Sequence, residues 1–329
     1  KSDKIKFVKT KKFVSVKESH DFIDLQRKIA KYKLIPIVDD FQNVINYANE
    51  KRFKQIPQSE PVFKGKELEY LTDTIRSGWI SSVGKYVNLF EKKFSKFTKS
   101  NYTLATSSGT AALQLAISVL KLKKQDEVIV PDFTFVAPIN AILQCGAKPV
   151  LADIDNETLC ISYDSIKKLV SKKTKAVVIV HLYGNTPELE KIVKFCQKKG
   201  IKIIEDCAEA FGTTYKKKHV GKFGDIGTFS FFGNKTITTG EGGMLIFKKK
   251  EHFHLATKLR NHGMSPLKKY WHDEVGYNFR MTNMQAAVGL AQLEKANFFV
   301  NKKIEIQKKF SIKLKNLKNI SFPKKDIKI

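Results

Sequence analysis

The stretch Ile203-Ile204-Glu205-Asp206-Cys207-Ala208, residues 203–208, decides the fold class of this chain. It is an apolar run that ends in carboxylates, and similar Val/Ile runs occur at 127–130 and 175–180, with helical patterns between them. Continuous apolar runs are typical of strands that helices cover on both faces, so the sequence predicts an α/β fold with a mostly parallel central sheet. Ligands bind at the carboxyl ends of such strands, where Asp206 could pair with a cationic ring nitrogen. The alternative is an Asp206 that only caps the following turn.

Strand and helix patterns alternate along most of the chain on both sides of this stretch. Strands are predicted at 12–16, 34–38, 44–47, 102–106, 127–130, 148–152, 175–180, 201–206, 228–231, 243–247 and 320–322. Helices are predicted at 22–29, 67–77, 87–97, 109–120, 135–145, 164–171, 187–199, 251–262 and 283–310. Two prolines and small polar residues predict a linker at 56–61.

A candidate anion site lies at residues 106–113, where a predicted strand runs through small residues directly into a helix. The free N–H groups and the positive end of a helix attract an anion there, and Ser108 and Thr110 add hydroxyl groups. Gly109 lets a phosphate approach the backbone. The alternative is a plain helix N-cap, a role that Ser and Thr fill well.

Lys235 is set apart from the other lysines by its neighbours. It follows the apolar, aromatic stretch 227–232 and precedes a Gly-rich turn at 239–243. Desolvation there would lower its pKa and free the amine for Schiff-base chemistry, whereas an exposed loop lysine is the alternative. An anion cup, a strand-end Asp206 and Lys235 together meet the needs of pyridoxal phosphate: a phosphate cradle, a partner that keeps the pyridine nitrogen protonated, and an imine-forming amine.

The net charge of +28 offers a different interpretation, in which the protein binds nucleic acid. The chain has 60 Lys and Arg residues against 32 Asp and Glu, but only five of the 60 are Arg. Proteins that read bases or clamp phosphate chains favour the guanidinium group, so we interpret the lysines as solvated surface and expect no nucleic-acid partner.

The sequence also predicts a cytoplasmic protein without a membrane partner. It has no run of about 18 apolar residues and no signal-peptide pattern at its N-terminus. The four cysteines are widely spaced and lack a C-x-x-C pair, which predicts four buried free thiols and no metal site.

Ordered motifs along the chain carry a family resemblance. They lie at 77–86, 106–113, 131–135, 181–184, 205–210, 227–235 and 270–283. From about Gln58 to Phe310 the chain resembles the sugar-nucleotide aminotransferases of the DegT/DnrJ/StrS type. The resemblance implies pyridoxal-phosphate fold type I, the aspartate-aminotransferase fold, with pyridoxal 5'-phosphate as cofactor.

The resemblance also implies roles for residues of the cofactor site. Lys235 corresponds to the catalytic lysine that binds the cofactor and acts as acid and base in the 1,3-proton shift. Asp206 corresponds to the partner of the ring nitrogen. The residues that correspond to phosphate ligands, or lie in the same cup, are Ser108, Gly109, Thr110 and Ser230.

Four further residues match family positions around the cofactor. Phe135 corresponds to the aromatic ring that stacks on the pyridine face, and Glu209 stands at a cofactor-binding position that is often Gln. Asn278 corresponds to an asparagine that reaches the phosphate of the neighbouring subunit, which implies a homodimer with shared active sites. His181 is expected near the site, where it either takes part in the chemistry or simply packs.

The activity implied by the resemblance is transfer of the amino group of glutamate to the 4-keto carbon of a nucleotide-linked 4-keto-6-deoxy sugar. The branch that this sequence resembles most acts on GDP-4-keto-6-deoxymannose. Related 3-dehydratases carry His in place of the catalytic lysine, so the presence of Lys235 favours transamination. The alternatives are a UDP- or dTDP-linked keto sugar as substrate, or a truncated, non-catalytic binding or regulatory subunit.

The resemblance divides the chain into three parts. Residues 1–57 are a segment and linker in which 13–16 and 34–40 resemble one cystathionine-β-synthase (CBS) motif, expected to be a remnant of a regulatory or nucleotidyltransferase module. Residues 58–250 form the large pyridoxal-phosphate-binding domain. Residues 251–329 begin a small C-terminal domain, which we expect to be truncated.

Overall fold

The computed structural model describes residues 14–19, 21–49 and 59–323. The chain divides into one unit from Lys1 to Glu60 and a second from Pro61 to Ile329. The elements of the first unit are β1 (Val16–Lys17), α1 (Phe22–Lys31), β2 (Ile35–Val38) and β3 (Val44–Ala48). They form a sheet in the order β1-β2-β3, in which β2 is parallel to β1 and antiparallel to β3. Leu25 and Ile35 are fully buried in its small core.

The second unit alternates strands and helices. Its strands are β4 (Tyr102–Thr106), β5 (Glu127–Pro131), β6 (Lys148–Ala152), β7 (Thr174–Val180), β8 (Lys202–Asp206), β9 (Thr214–Tyr215), β10 (Lys218–His219), β11 (Ile226–Ser230) and β12 (Gly243–Phe247). Its helices are α2 (Glu67–Ser77), α3 (Lys85–Thr98), α4 (Gly109–Val119), α5 (Ala137–Gln144), α6 (Tyr163–Leu169), α7 (Leu189–Lys199), α8 (Lys250–Arg260), α9 (Asn283–Glu294) and α10 (Ala296–Lys313).

Seven of these strands form the central sheet, in the order β4-β12-β11-β8-β7-β5-β6. In this sheet β12 runs antiparallel to both of its neighbours, whereas β11, β8, β7, β5 and β6 pair in parallel. The register places Asp206 opposite Val180 of β7 and Thr228 of β11. Because carboxyl ends of parallel strands meet at one edge, side chains that follow β4, β8 and β11 converge there.

The inner strands of the sheet are buried on both faces, which explains their apolar runs, whereas the edge strand β6 is partly exposed. On β7, Ala176, Val178 and Val180 belong to one hydrophobic core, while Val177 and Ile179 belong to another. Successive residues of a strand face opposite sides, so both faces of β7 are covered. The predicted α/β class with a mostly parallel sheet is therefore confirmed.

A third hydrophobic core contains residues from both the N-terminal and the C-terminal part of the second unit. Phe94 of α3 is fully buried and contacts the rings of Phe229 and Phe231 edge-on, with centroids 5.1 and 5.8 Å away. Met281 and Leu290 lie in the same core. Residues beyond 250 thus pack in part on the large sheet, and the predicted boundary between 250 and 251 stays a prediction.

Most predicted elements are confirmed within a few residues. The predicted helix at 135–145 begins only at Ala137, and the one at 283–310 is divided at Lys295 into α9 and α10. The strand predicted at 320–322 is wrong, because that segment has no strand partner among the described residues and the Ile320 N–H instead bonds to the Leu317 carbonyl. Residues 12–13 of the first predicted strand and 56–58 of the predicted linker lie outside the described residues.

The expectation of four buried cysteines needs one correction. Cys160, Cys196 and Cys207 are buried free thiols, but Cys145 is partly exposed. Cys145 ends α5 next to a glycine turn, which leaves its side chain at the margin of the core. Among the helices of the described ranges, none is long and apolar enough to cross a membrane.

The aromatic core gives a first prediction. Phe94→Ala should lower the free energy of unfolding by about 3–5 kcal/mol, because it leaves a cavity among several rings. The matched control is Phe310→Ala in α10, where the side chain is exposed, and a change within about 0.5 kcal/mol is expected. Urea denaturation of both variants measures the difference, and equal losses would contradict the packing described.

Candidate active site

A cavity of about 400 Å³ opens at the carboxyl edge of the central sheet. Its wall contains eight predicted site residues: Ser108, Gly109, Thr110, Phe135, Asp206, Glu209, Ser230 and Lys235. They come from the ends of β4, β8 and β11 and from the loops that follow β5 and β11. The remaining predicted residue, Asn278, does not line this cavity.

The anion cup lies at the start of α4. Ser108 is the helix N-cap, and its Oγ accepts a hydrogen bond of 3.1 Å from the Ala111 N–H. The N-cap alternative is therefore correct for Ser108, yet the first-turn N–H groups of a helix still lack intrahelical partners. A Cβ on Gly109 would lie 2.7 Å from the Ser230 Cβ, so any larger residue would collide with Ser230 beside the N–H groups of this first turn. Backbone N–H groups and serine hydroxyls together form a donor set that fits a phosphate.

Asp206 is the last residue of β8 and is 5% exposed. Its Oδ1 accepts a hydrogen bond of 2.9 Å from the Ala208 N–H, so it also caps the following turn, as the alternative predicted. Burial raises the pKa of Asp206 to about 6, against the opposing effects of that hydrogen bond and of the positive charges of Lys235 and His181. A buried carboxylate with this raised proton affinity is suited to share a proton with a ring nitrogen.

Lys235 follows β11, on the same cavity wall. Its side chain is only 20% exposed, so the alternative of an exposed loop lysine is wrong. Its Nζ lies 3.4 Å from the Glu209 Oε1, and the other Glu209 oxygen accepts a hydrogen bond from the Tyr183 N–H. Glu209 thus holds an amine within the cavity, where pyridoxal phosphate needs one.

The two remaining predicted residues are exposed. The ring of Phe135 is 75% exposed and stands at the cavity wall, where an aromatic face can cover a flat ligand. Asn278 accepts a hydrogen bond of 3.0 Å from the Arg280 Nε and lies away from this cavity. Its predicted role toward a neighbouring subunit stays a prediction.

His181, Glu205 and Cys207 bring one ligand atom each within 4.8 Å of one another, all of them buried. The Glu205 Oε1 accepts from the N–H groups of residues 223 and 224, and its Oε2 accepts from Gly221 N–H and His181 Nε2. All four bonding positions of this carboxylate are therefore occupied. The cluster is therefore built as a hydrogen-bonded pair of His181 and Glu205 rather than as a cation site.

Sequence reasoning overlooked several residues of the cavity. Thr134, Phe232, Asn234 and Glu241 also line it. Each lies beside or within a motif that the sequence already indicated, so its proximity in sequence to Phe135, Lys235 or the Gly-rich turn could have predicted its place in the cavity. The role of Glu205 had no such signal, because it depends on which face of the sheet its side chain occupies.

Comparison with known proteins settles the family. The model of the DegT/DnrJ/EryC1/StrS aminotransferase family matches residues 61–328. The chain belongs to this family.

Individual relatives are similar over most of their length. The GDP-perosamine synthase of Vibrio cholerae is 48% identical over 262 residues, 80% of this chain and 71% of that protein. The GDP-perosamine synthase of Escherichia coli O157:H7 is 46% identical over 274 residues, 83% of this chain and 75% of that protein. A crystal structure of GDP-4-keto-6-deoxymannose-3-dehydratase with a trapped PLP-glutamate geminal diamine superposes with a TM-score of 0.76 at 30% identity, over 80% of this chain and 74% of that one.

These comparisons confirm three predictions. The chain is a pyridoxal-phosphate-dependent sugar aminotransferase, its fold is that of the pyridoxal-phosphate aminotransferases, and its cofactor is pyridoxal phosphate. The cavity residues fit that cofactor, since they supply a phosphate cradle, a buried carboxylate and an amine. The role of each single residue stays a prediction.

Because the pKa of Asp206 is raised, we predict that replacement of its carboxyl group by a neutral amide stabilises the cofactor-free protein. Because the folded pKa of about 6 exceeds the ordinary 3.8, the stability that protonated Asp206 contributes is present below about pH 4 and is lost as the pH rises through 6. Asp206→Asn avoids that loss and should raise the free energy of unfolding by about 1–3 kcal/mol above pH 6, while it weakens cofactor binding.

Asp273→Asn serves as a control, for which we expect a change in stability of the opposite sign. The hydrogen bond from Lys258 lowers the pKa of Asp273, so Asp273→Asn should cost stability at neutral pH, and the loss should disappear at acid pH. Denaturation of both apo variants across this pH range gives the comparison. An Asp206→Asn curve parallel to that of the wild type would refute the buried, destabilised carboxylate.

Proposed function

We propose that this chain transfers the amino group of glutamate to the 4-keto carbon of GDP-4-keto-6-deoxymannose and so forms GDP-perosamine and 2-oxoglutarate. The observation that carries the proposal is the 46–48% identity to two GDP-perosamine synthases over a region that contains the whole cavity. The presence of Lys235 in the cavity supports amino transfer over dehydration.

The cavity residues divide the binding of the cofactor among themselves. Ser108, Gly109, Thr110 and Ser230 would hold the phosphate group. Asp206 would hold the proton of the ring nitrogen, and Phe135 would cover one face of the ring. When bound, pyridoxal phosphate supplies an electron-withdrawing ring that carries the amino group from one substrate to the other.

Lys235 performs the proton transfers. In the first half of the reaction its Nζ takes the proton from Cα of glutamate, and in the second half it delivers a proton to C4 of the sugar. Both steps need an amine that is close to the reacting carbon and shielded from bulk water. The Glu209 Oε1, 3.4 Å from Nζ, keeps the end of the Lys235 side chain within the cavity when no cofactor is bound.

We further infer that the active unit is a homodimer in which Asn278 of one subunit completes the site of the other. Several apolar side chains are more than half exposed in the single chain, among them Phe135 at the cavity wall, Tyr183 and Trp79. A second copy would cover them. The free cysteines suit a reducing compartment, and we place the reaction in the cytoplasm.

Assays with glutamate and three nucleotide sugars test the proposed substrate. The 4-keto-6-deoxy sugar linked to GDP should be aminated with a kcat/KM at least about tenfold above those of the UDP- and dTDP-linked analogues, because base-specific hydrogen bonds are lost with the wrong base. Equal turnover of a UDP- or dTDP-linked sugar would contradict the GDP assignment.

Substitution of the lysine tests the mechanism. Lys235→Ala should lower kcat by about 10²–10⁴-fold, since it removes the acid and base. Lys216→Ala, which removes an exposed lysine from the β9–β10 turn, should leave kcat unchanged. A Lys235→Ala variant that keeps wild-type turnover would refute the assignment.

Mixing two inactive variants tests the shared site. Lys235→Ala and Asn278→Ala homodimers should each lose activity, but a mixed dimer has one site with both residues intact. Random mixing should therefore restore about a quarter of the wild-type activity. No recovery after exchange of subunits, verified by differently tagged chains, would show that Asn278 acts within its own subunit or not at all.

A further inference from the structure

His181 and Glu205 lie directly behind Asp206, on the face of the sheet that does not line the cavity. Val180 and Asp206 are opposite each other on the parallel strands β7 and β8, and both line the cavity. Adjacent residues of a strand point to opposite faces, so Glu205 lies on the reverse side. His181 reaches it there, and both side chains are fully buried.

The hydrogen bonds of Glu205 require an ionised carboxylate. Three of its four partners are backbone N–H groups, at 2.6 to 2.8 Å, which can only donate. Burial acts to raise the pKa of Glu205, but the hydrogen bonds from His181, Gly224 and Gly221 bring it below the ordinary value. Its fourth partner, the His181 Nε2 at 2.9 Å, must therefore be a donor as well.

The second ring nitrogen of His181 also faces an acceptor. Its Nδ1 lies 3.2 Å from the carbonyl oxygen of Asn185, which cannot donate. Both ring nitrogens thus carry hydrogen atoms, and the ring is an imidazolium. His181 and Glu205 are an ion pair sealed from solvent.

A second buried histidine shows the contrasting arrangement. The His219 Nε2 accepts a hydrogen bond of 3.2 Å from the Gly212 N–H, while its Nδ1 faces the carbonyl oxygen of Val220. One acceptor and one donor nitrogen specify a neutral ring, and burial lowers the pKa of His219. The two buried histidines therefore differ in charge: His181 is charged and His219 is neutral, so His219 can serve as a control for His181.

The charge of His181 bears directly on Asp206. It is among the positive charges that lower the pKa of that carboxyl, together with Lys235. Lys235 gains and loses protons during the reaction, so its charge varies, whereas the charge of His181 is fixed by two hydrogen bonds. The His181 N–H also donates to the carbonyl oxygen of Asp206 at 3.0 Å, which ties the end of β8 to that of β7.

We propose that His181 is a positioning residue for amino transfer, which with Glu205 forms a permanently charged buried pair that keeps Asp206 anionic and in place. The proposal rests on the role given above to Asp206 as partner of the ring nitrogen. It does not depend on which sugar nucleotide the enzyme accepts.

The first test observes the protonation of His181 in the unaltered holoenzyme. Nitrogen NMR of the chain labelled at its seven histidines should show one ring with both nitrogens protonated at about pH 8.5, two units above the ordinary histidine pKa of about 6.5. That signal should be absent from His181→Gln and present in His219→Gln. If no histidine keeps two ring protons at this pH, the proposal is wrong.

The second test measures the effect of the charge on the site. In His181→Gln, loss of a positive charge raises the proton affinity of its neighbours, so the pH midpoint of the visible absorbance of the bound cofactor should rise by about one unit, and the Kd for pyridoxal phosphate should rise about tenfold. Other titratable groups interact with the pair, namely Cys207 and His219, or with Asp206, namely Glu209 and Lys235. His219→Gln removes a neutral ring and should leave midpoint and Kd unchanged.

The outcomes separate this proposal from the proposed function. A folded His181→Gln protein with the wild-type midpoint and Kd would show that the pair is only structural, and would overturn the proposal. If the variant does not fold, His181→Asn and the NMR measurement on the unaltered chain still decide. Failure to aminate a GDP-linked sugar, with the NMR signal and the shift both present, would overturn the substrate assignment and leave the pair intact.

Discussion

Two adjacent carboxylates, Glu205 and Asp206, are buried at the end of β8, and their charges constrain everything around them. An unpaired buried charge costs several kcal/mol, so each needs its own compensation. Glu205 obtains it completely, from three backbone N–H groups and His181. Asp206 accepts one backbone hydrogen bond, and the positive charges of Lys235 and His181 lower its pKa further, but its pKa of about 6 shows that this compensation is incomplete. A protonated ring nitrogen in the cavity would supply what is missing.

The parallel sheet turns this local constraint into a site. Because β8 lies between β7 and β11, the loops that follow all three strands meet at Asp206. The loop at 221–224 donates its N–H groups to Glu205 and then leads into β11, which carries Ser230 and ends shortly before Lys235. The charge of Glu205 thereby anchors the segment that presents Lys235, the proposed catalytic lysine.

Sequence patterns were sufficient for the layers of the fold but not for several local features. Val/Ile runs identify strands because a strand that is buried on both faces needs apolar side chains along its whole length. The positions of Asp206 and Lys235 were predictable because each lies at or just after the end of a predicted strand. The hairpin of β9 and β10 was not predicted, because its turn places Lys216 and Lys217 at positive φ without the usual Gly or Asn. The role of Glu205 depends on the sheet order and on which face its side chain takes, and both are set by tertiary packing.

We propose that the cavity holds pyridoxal phosphate between the cup at Ser108–Thr110 and the carboxylate of Asp206. A crystal structure of the chain with pyridoxal phosphate tests it most directly. We predict that the phosphate group contacts the backbone of Gly109 and the hydroxyl of Ser230, with the ring nitrogen within hydrogen-bond distance of Asp206. A cofactor bound elsewhere, or with its ring nitrogen turned away from Asp206, would contradict this account.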